Sequence, residues 1–349
     1  MAPVRVPDIM IDKLELLLAL ARERHFGRAA DAAGVTQPTL SSALKSLEDQ
    51  LGVLIVERGS RFRRFTPEGE RILAWARRLV GHSRAMHQEI QALQKGLSGH
   101  LKLAVIPTAL PFLAELTVPM RRRYPDVHLT VLSMTSDAIL AKLENLEVDI
   151  GISYVDNEPP PRFETVRIYD ERYVLLVAPE SPLAKRDKVT WAEAGRLPLC
   201  LLTPDMQNRR LIDRHLDEAG APQTPTLESN SMLVLYAHVR SGEWASILPS
   251  RLAETLDRPS RLRPIQLVEP TVSHKIGLVV TKREPHSPLV AAFIAHAKRV
   301  GAPPERTFAA FTGEIGRWWR PATALAFTRR PERRLRLVEP PLVRVEHPA

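Results

Sequence analysis

The chain has a single cysteine, Cys200, in 349 residues. A disulfide within one copy is therefore excluded, and a lone thiol inside the apolar run "LPLCLL" reads as a small core hydrophobe rather than a reactive group. Such cysteine usage fits a reducing cytoplasm. Long apolar runs are also missing. The densest early one, "LELLLALA", falls far short of the roughly 20 residues that span a bilayer. No basic segment leads into an apolar stretch near the N-terminus, so neither a secretory signal nor a membrane partner is expected. The sequence carries no P-loop, no GxGxxG opening a helix after a strand and no metal-spaced Cys/His cluster, and its 11 histidines are scattered. These absences argue against an enzyme, and neither a cofactor nor a metal is expected.

What is present is unevenly charged. Residues 1–96 hold 15 Lys/Arg against 11 Asp/Glu, residues 97–300 hold 25 against 24, and residues 301–349 hold 9 against 5. The ends are basic and the long middle is near neutral. A polyanion would meet the ends.

The first helices explain how. Ile11, Leu14, Leu17, Leu18 and Ala21 recur at helical spacing, a short Ala-rich helix follows over 28–33, and Gly34 suits the left-handed position after a helix. Thr36 then caps a helix with Pro38 in its first turn and an apolar stripe of Leu40, Leu44, Leu47 and Leu51. Its other face carries Gln37, Pro38, Ser41, Ser42 and Lys45, with no acid at the tip. Short hydroxyls permit close approach to a groove floor, the positive helix end favours phosphate, and Gln can pair bidentately with adenine. The competing reading is an ordinary helix pair with a solvated face. Against it stands the next segment, "VLIVERGSRFRRFTPEG", which reads as two short strands around a basic tip with Arg58, Arg61, Arg63 and Arg64. A basic hairpin directly after a recognition helix is a wing.

Thr66 and Pro67 start a long helix running to about Gln94. Ile72, Ala76, Leu79, Ser83, Met86, Ile90 and Leu93 alternate spacings of four and three along it, which is a heptad seam. The seam could pack on its own domain. Pairing two copies is the better reading, because it presents two recognition helices with the two-fold symmetry of a palindromic site.

Beyond residue 97, strands and helices alternate: "LKLAVIP", "VHLTVLSM" and "VDIGISY" read as strands with helices over 111–124 and 136–146 between them. This rhythm implies a parallel sheet. A crossover between two lobes is expected around 156–163 and a return around 258–270. Ligands of such sheets sit at strand ends and helix starts, where Thr108, Thr135, Ser136, Thr203, Asn230 and Ser231 fall. Each suits a small polar or anionic effector, and each could equally be a plain helix cap.

The ordered set "FGRAADAAGVTQPTLSSALKSLEDQLGVLIVERGSRFRRFTPEG", a helical linker, "VDIGISY" and "ERYVLLVAPESPLA" resembles the LysR-type transcriptional regulators over roughly 290 residues. The resemblance implies an α/β chain. A winged helix-turn-helix (1–66) would lead through a linker dimerisation helix (67–96) to a two-lobed effector domain (97–300) resembling periplasmic binding proteins. Lobe I would comprise about 97–161 and 269–300, and lobe II 162–268. It further implies a homodimer or homotetramer on double-stranded promoter DNA, a small effector in the cleft, RNA polymerase as a further partner, and activation more often than repression. Gln37, Pro38, Ser41 and Ser42 would face bases. Arg28, Thr36, Arg58, Arg61, Arg64 and Thr66 would serve backbone or minor groove. Ser42 stands where Arg is common, Val56 where an aromatic is common, and Phe62 makes the wing tip unusually apolar. Peroxide sensing by an intrasubunit disulfide, known in one branch, is excluded by the lone cysteine. Residues 301–349, rich in Arg and Pro, lie outside the resemblance. They read either as a disordered basic arm or as a segment docked through Trp318 and Trp319. A ligand-independent architectural DNA-binding protein is the rival class, but it has little use for about 200 neutral residues.

Overall fold

The computed structural model describes residues 10–58, 62–156, 160–222, 224–260 and 262–300. Arg61 and the 301–349 tail lie outside the described residues. Helix α1 (Met10–Glu23) buries Leu14, Leu17, Leu18 and Leu20. Helix α2 (Phe26–Ala32) buries Ala29 and Ala30, and α3 (Gln37–Leu51) buries Leu40, Leu44 and Leu47. The three stripes share one core, to which each fully buried leucine contributes about 1.5–3 kcal/mol. Gly34, at φ 68°, makes the turn between α2 and α3, and Gly52, at φ 70°, ends α3. Leu51, expected in the stripe, is instead exposed in the last turn.

Strands β1 (Val56–Arg58) and β2 (Phe62–Phe65) form the antiparallel wing, with Val56 opposite Phe65. Glu48 of α3 is buried and accepts hydrogen bonds from the backbone N–H of Ile55 (2.9 Å) and Val56 (3.2 Å), fixing the wing to the recognition helix. The apolar tip expected of Phe62 is corrected. Its ring is half-buried and packs edge-on against Phe65 (5.1 Å) and Phe26 (6.4 Å).

Helix α4 (Pro67–Lys95) leads to the α/β body. There β3 (Gly99–Val105), α5 (Leu110–Arg123), β4 (Val127–Ser133), α6 (Ser136–Glu144) and β5 (Ile150–Tyr154) give a parallel β4-β3-β5 sheet. Next comes β6 (Phe163–Val177), followed by β7 (Lys188–Thr190), α7 (Trp191–Ala194), β8 (Cys200–Leu202) and α8 (Gln207–Glu218). The body continues through β9 (Leu227–Ser229), α9 (Met232–Arg240), β10 (Ser246–Pro249) and α10 (Ser250–Ser260). It closes with β11 (Arg263–Val268), β12 (Ser273–Thr281) and α11 (Pro288–Val300). The crossing between lobes lies inside β6 rather than in the 156–163 loop. Residues up to Arg172 pair with β12, and from Tyr173 the same strand pairs with β10 and β11. Ladder pairing thus runs on either side of the crossing, which satisfies backbone groups that a Pro-rich loop would leave to solvent. The return runs from β11 to β12.

The helix-turn-helix rests on the α/β body through a small polar junction. Arg84 of α4 donates to Glu15 of α1 (2.9 Å) and to the Leu146 carbonyl (3.4 Å). Arg77 reaches Asn145 (3.2 Å) and Glu144 (3.4 Å). Leu146, in the left-handed region at φ 58°, packs on the helix-turn-helix core.

Candidate nucleic-acid interface and ligand cleft

Thr36 holds the start of α3 by accepting from the Thr39 N–H (3.3 Å) while its hydroxyl bonds that of Thr39 (2.8 Å). Gln37 and Pro38 stand exposed at the tip, Ser42 and Lys45 one and two turns on, and Ser41 is half-buried beside them. No acid occupies the first turn. Adjacent Gly27 has no Cβ, which would otherwise lie 3.6 Å from Gln37 Oε1. One α3 face therefore carries all five positions picked from the pattern, four exposed and Ser41 half-buried.

The cations around it differ in freedom. Arg28 donates to the Glu23 carbonyl (2.8 Å) and pairs with its carboxylate (3.4 Å). Arg63 is exposed. Arg64 pairs with Glu57 across the wing (2.8 Å), holding that carboxyl below the usual range. Of Arg58 the structure describes only the backbone. Thr66, expected at the DNA backbone, is committed within the protein. Its hydroxyl accepts from Gly69 N–H (2.9 Å) and donates to the Leu54 carbonyl (2.6 Å), so it has no proton left for a phosphate.

The linker seam also needs correction. Ala76 is fully buried against its own helix-turn-helix with Leu73 and Val80, and Ile72 is half-buried there. Helix α1 takes that face first, so the stripe left open is rotated by one position at its start. It comprises Trp75, Leu79, Met86, Ile90 and Leu93, all exposed, with Ser83 half-buried between them.

In the α/β body, the turn after β3 places Thr108 beside the start of α6, where Thr135 caps by accepting from Ala138 N–H (3.2 Å). Ser136 is buried and accepts from Ser153 (2.9 Å). Facing them across the cleft are Met206, Gln207 and Asn208 at the start of α8. The inner pocket is about 10 Å³, room for one water, and it shares Ser136, Tyr154 and Gln207 with a cavity of about 350 Å³ lined by Asp137, Arg210 and Arg214 among others. Arg210 reaches Asp137 across the mouth at 3.5 Å. The hydroxyl of Thr108 and Oδ1 of Asn208 are buried without partners at this wall, and so is the Thr203 hydroxyl nearby. Such groups are costly unless something binds them. Thr108, Thr135 and Ser136 thus come together, whereas Thr203, Asn230 and Ser231 do not line the cleft.

Pattern reading misses the floor. Tyr154 donates to Glu171 Oε1 (2.5 Å), Tyr169 donates to Glu171 Oε2 (3.4 Å), and Asn208 Nδ2 donates to Tyr154 Oη (3.1 Å). Burial pushes the Glu171 carboxyl up to about 7, against the lowering effect of the two tyrosine hydrogen bonds. Cys200 sits within lobe II, where burial pushes its thiol up to about 11. Among the described residues no group of three or more His, Cys, Asp or Glu could hold a metal, and no helix is long and apolar enough to cross a membrane.

Comparison with known proteins agrees with both halves. Residues 11–70 match the family model for the bacterial regulatory helix-turn-helix protein of the lysR family, and residues 94–302 match the LysR substrate binding domain. The chain is similar to the DNA-binding transcriptional dual regulator OxyR of Escherichia coli (strain K12), 29% identical over 293 residues, covering 84% of this chain and 95% of the relative. A hydrogen peroxide-inducible genes activator of Dickeya chrysanthemi is 31% identical over 241 residues, 69% of this chain and 79% of that one. A full-length OxyR variant from Pseudomonas aeruginosa superimposes with a TM-score of 0.66 at 26% identity, covering 84% of this chain and all of that one. An N-terminal winged helix-turn-helix joined to a two-lobed α/β ligand-binding body defines a ligand-responsive regulator of transcription, not an enzyme. The chain belongs to the LysR family of DNA-binding transcriptional regulators.

Proposed function

We propose that this regulator binds a palindromic promoter site as an oligomer of copies paired along the exposed stripe of α4, and that a small anion in the interlobe cleft switches it as a cytoplasmic activator. Gln37, Pro38, Ser41 and Ser42 read bases in this assignment, while Arg28, Lys45, Arg63 and Arg64 contact the backbone. Residues 1–66, 67–96 and 97–300 serve as reader, dimeriser and sensor. The observation that carries the cleft reading is the pair of buried, unpartnered groups, Thr108 Oγ1 and Asn208 Oδ1, at a water-sized inner pocket that shares Ser136, Tyr154 and Gln207 with the cavity lined by Arg210 and Arg214. The peroxide response in several relatives' names is not carried over. Cys200 is the sole thiol, and it is buried and poorly ionised.

A thermal-shift screen of small organic and inorganic anions on the full chain tests the sensor reading, since a ligand favouring the folded form raises its melting point. A hit that also alters the promoter footprint is expected. A footprint indifferent to every stabilising ligand would favour an architectural role.

A further inference from the structure

Glu171 lies one residue before the Arg172–Tyr173 step at which β6 changes partners, and only 1% of it is exposed. The groups around it are Tyr154 of β5, Tyr169 and Tyr173 of β6, Asn208 and His215 of α8, Asp156 after β5, His274, its cross-strand neighbour on β12, and Arg251 of α10, stacked over the Tyr169 ring at 4.7 Å. His274 is engaged elsewhere. Its Nδ1 is 2.9 Å from Asp156 and its Nε2 is 3.1 Å from His215 Nε2. Among the described residues, no cation forms an ion pair with the Glu171 carboxyl.

Tyr154 has one hydroxyl hydrogen. Given to Glu171, it leaves the tyrosine oxygen to accept from Asn208 Nδ2, and Asn208 Oδ1 is then the unpartnered acceptor at the cleft wall. The opposite arrangement is equally complete. A proton on Glu171 donates to Tyr154 Oη, Tyr154 donates to Asn208 Oδ1, and the amide, turned by half a rotation, presents its N–H₂ to the cleft beside the Thr108 hydroxyl. We propose that the charge on Glu171, relayed by Tyr154, sets whether Asn208 offers an acceptor or a donor to the water-sized inner pocket, so that an anion in the adjoining cavity, reached through the water that pocket can hold, binds together with a proton on Glu171. This rests on the reading of the cleft as an anion site. Desolvation and the nearby Asp156 bring the carboxyl to about 7 against the pull of its tyrosine donors, so both arrangements are accessible near neutrality.

The test uses the full chain with sulfate and acetate, which accept hydrogen bonds and do not titrate between about pH 6 and pH 8.5. Calorimetry in two buffers of different ionisation enthalpy counts the protons taken up. The wild type should bind with uptake of up to one proton, weakening by up to about tenfold per pH unit above neutrality. Glu171→Gln, which keeps a donor and cannot charge, should bind equally across the range without uptake. Tyr154→Phe, which cuts the relay, should lose the uptake as well. A second arm needs no ligand. In the wild type minus Glu171→Gln infrared difference, which cancels the Asp149 carboxyl that burial also raises, the carbonyl stretch of a protonated carboxylic acid should fade as the pH rises through 7. Its absence from that difference overturns the proposal, as does proton uptake that persists in Glu171→Gln. Binding without uptake overturns the relay but leaves the anion cleft standing. If neither anion binds although the acid band is present, the cleft reading fails and the proposal falls with it.

Discussion

The guanidinium of Arg283 packs against the backbone of Gly81. Its Nη1 donates to the Gly81 carbonyl at 3.1 Å, and a Cβ at position 81 would stand 2.2 Å from Nη2. Glycine in mid-helix costs about 1 kcal/mol relative to alanine, so its place in α4 needs a reason. The reason is this contact, one of the ties between the linker helix and the α/β body. Gly81→Ala should therefore destabilise the wild type by about 1 kcal/mol, because the lost charged hydrogen bond outweighs the helix gain. In an Arg283→Ala background the same change should stabilise by about 0.5–1 kcal/mol. Denaturant unfolding of the four chains measures the coupling, and additive effects would break the link between the two residues.

Gln37→Ala should weaken operator binding by about 1–3 kcal/mol while sparing nonspecific DNA, since the amide projects from an acid-free helix tip and can read a base edge. Titrations on both DNAs decide it. Equal losses would assign Gln37 to the backbone.

Wing arginines act through charge. Arg64→Ala should reduce the magnitude of the log K against log salt slope by about one, and an unchanged slope would mean that Arg64 meets no phosphate. Glu57 pairs with that guanidinium and would compete with a phosphate for it. Glu57→Gln should therefore tighten nonspecific binding at low salt.

How much of this is legible in the sequence depends on how local each signal is. Thr36, Pro38 and Gly34 announce the helix-turn-helix because caps and left-handed turns are decided within a few residues. Heptad spacing misplaces the seam by one residue at Ala76, because it cannot reveal that α1, some sixty residues earlier, occupies that face. Thr108, Thr135 and Ser136 are legible as hydroxyls that follow strands. Asn208 escapes because α8 begins after Met206 with no side-chain cap. Glu171 is hidden in "DERYVLLV", where a carboxylate normally reads as solvent-facing. Its spacing of two from Tyr169 and Tyr173, both buried, is the signal that puts it on the inner face.

Assembly along α4 should depend on the face left exposed. Leu79→Glu and Ile90→Glu should dissociate the copies while leaving the helix-turn-helix core folded, because both side chains are open to solvent in one copy. Ala76→Glu should unfold that core instead, because the site has no exposure at all. Sedimentation with a parallel melting curve separates the two outcomes. Assembly unaffected by Leu79→Glu would place the interface elsewhere.

The raised Glu171 carboxyl has a consequence for stability that is independent of any ligand. In the unfolded chain it titrates near its ordinary value of 4.5, and in the folded chain near 7. Between these values the native state holds the extra proton, so its contribution is fully present below about pH 4.5 and is lost as pH rises through 7. Over that window the wild type should lose up to about 3 kcal/mol relative to Glu171→Gln, since each pH unit between the two values is worth about 1.4 kcal/mol. Other groups titrate alike in both chains and cancel in the difference. Urea unfolding of the pair at several pH values checks this. A difference that stays flat from about pH 4.5 to pH 8 would mean that Glu171 is already ionised in the native hinge.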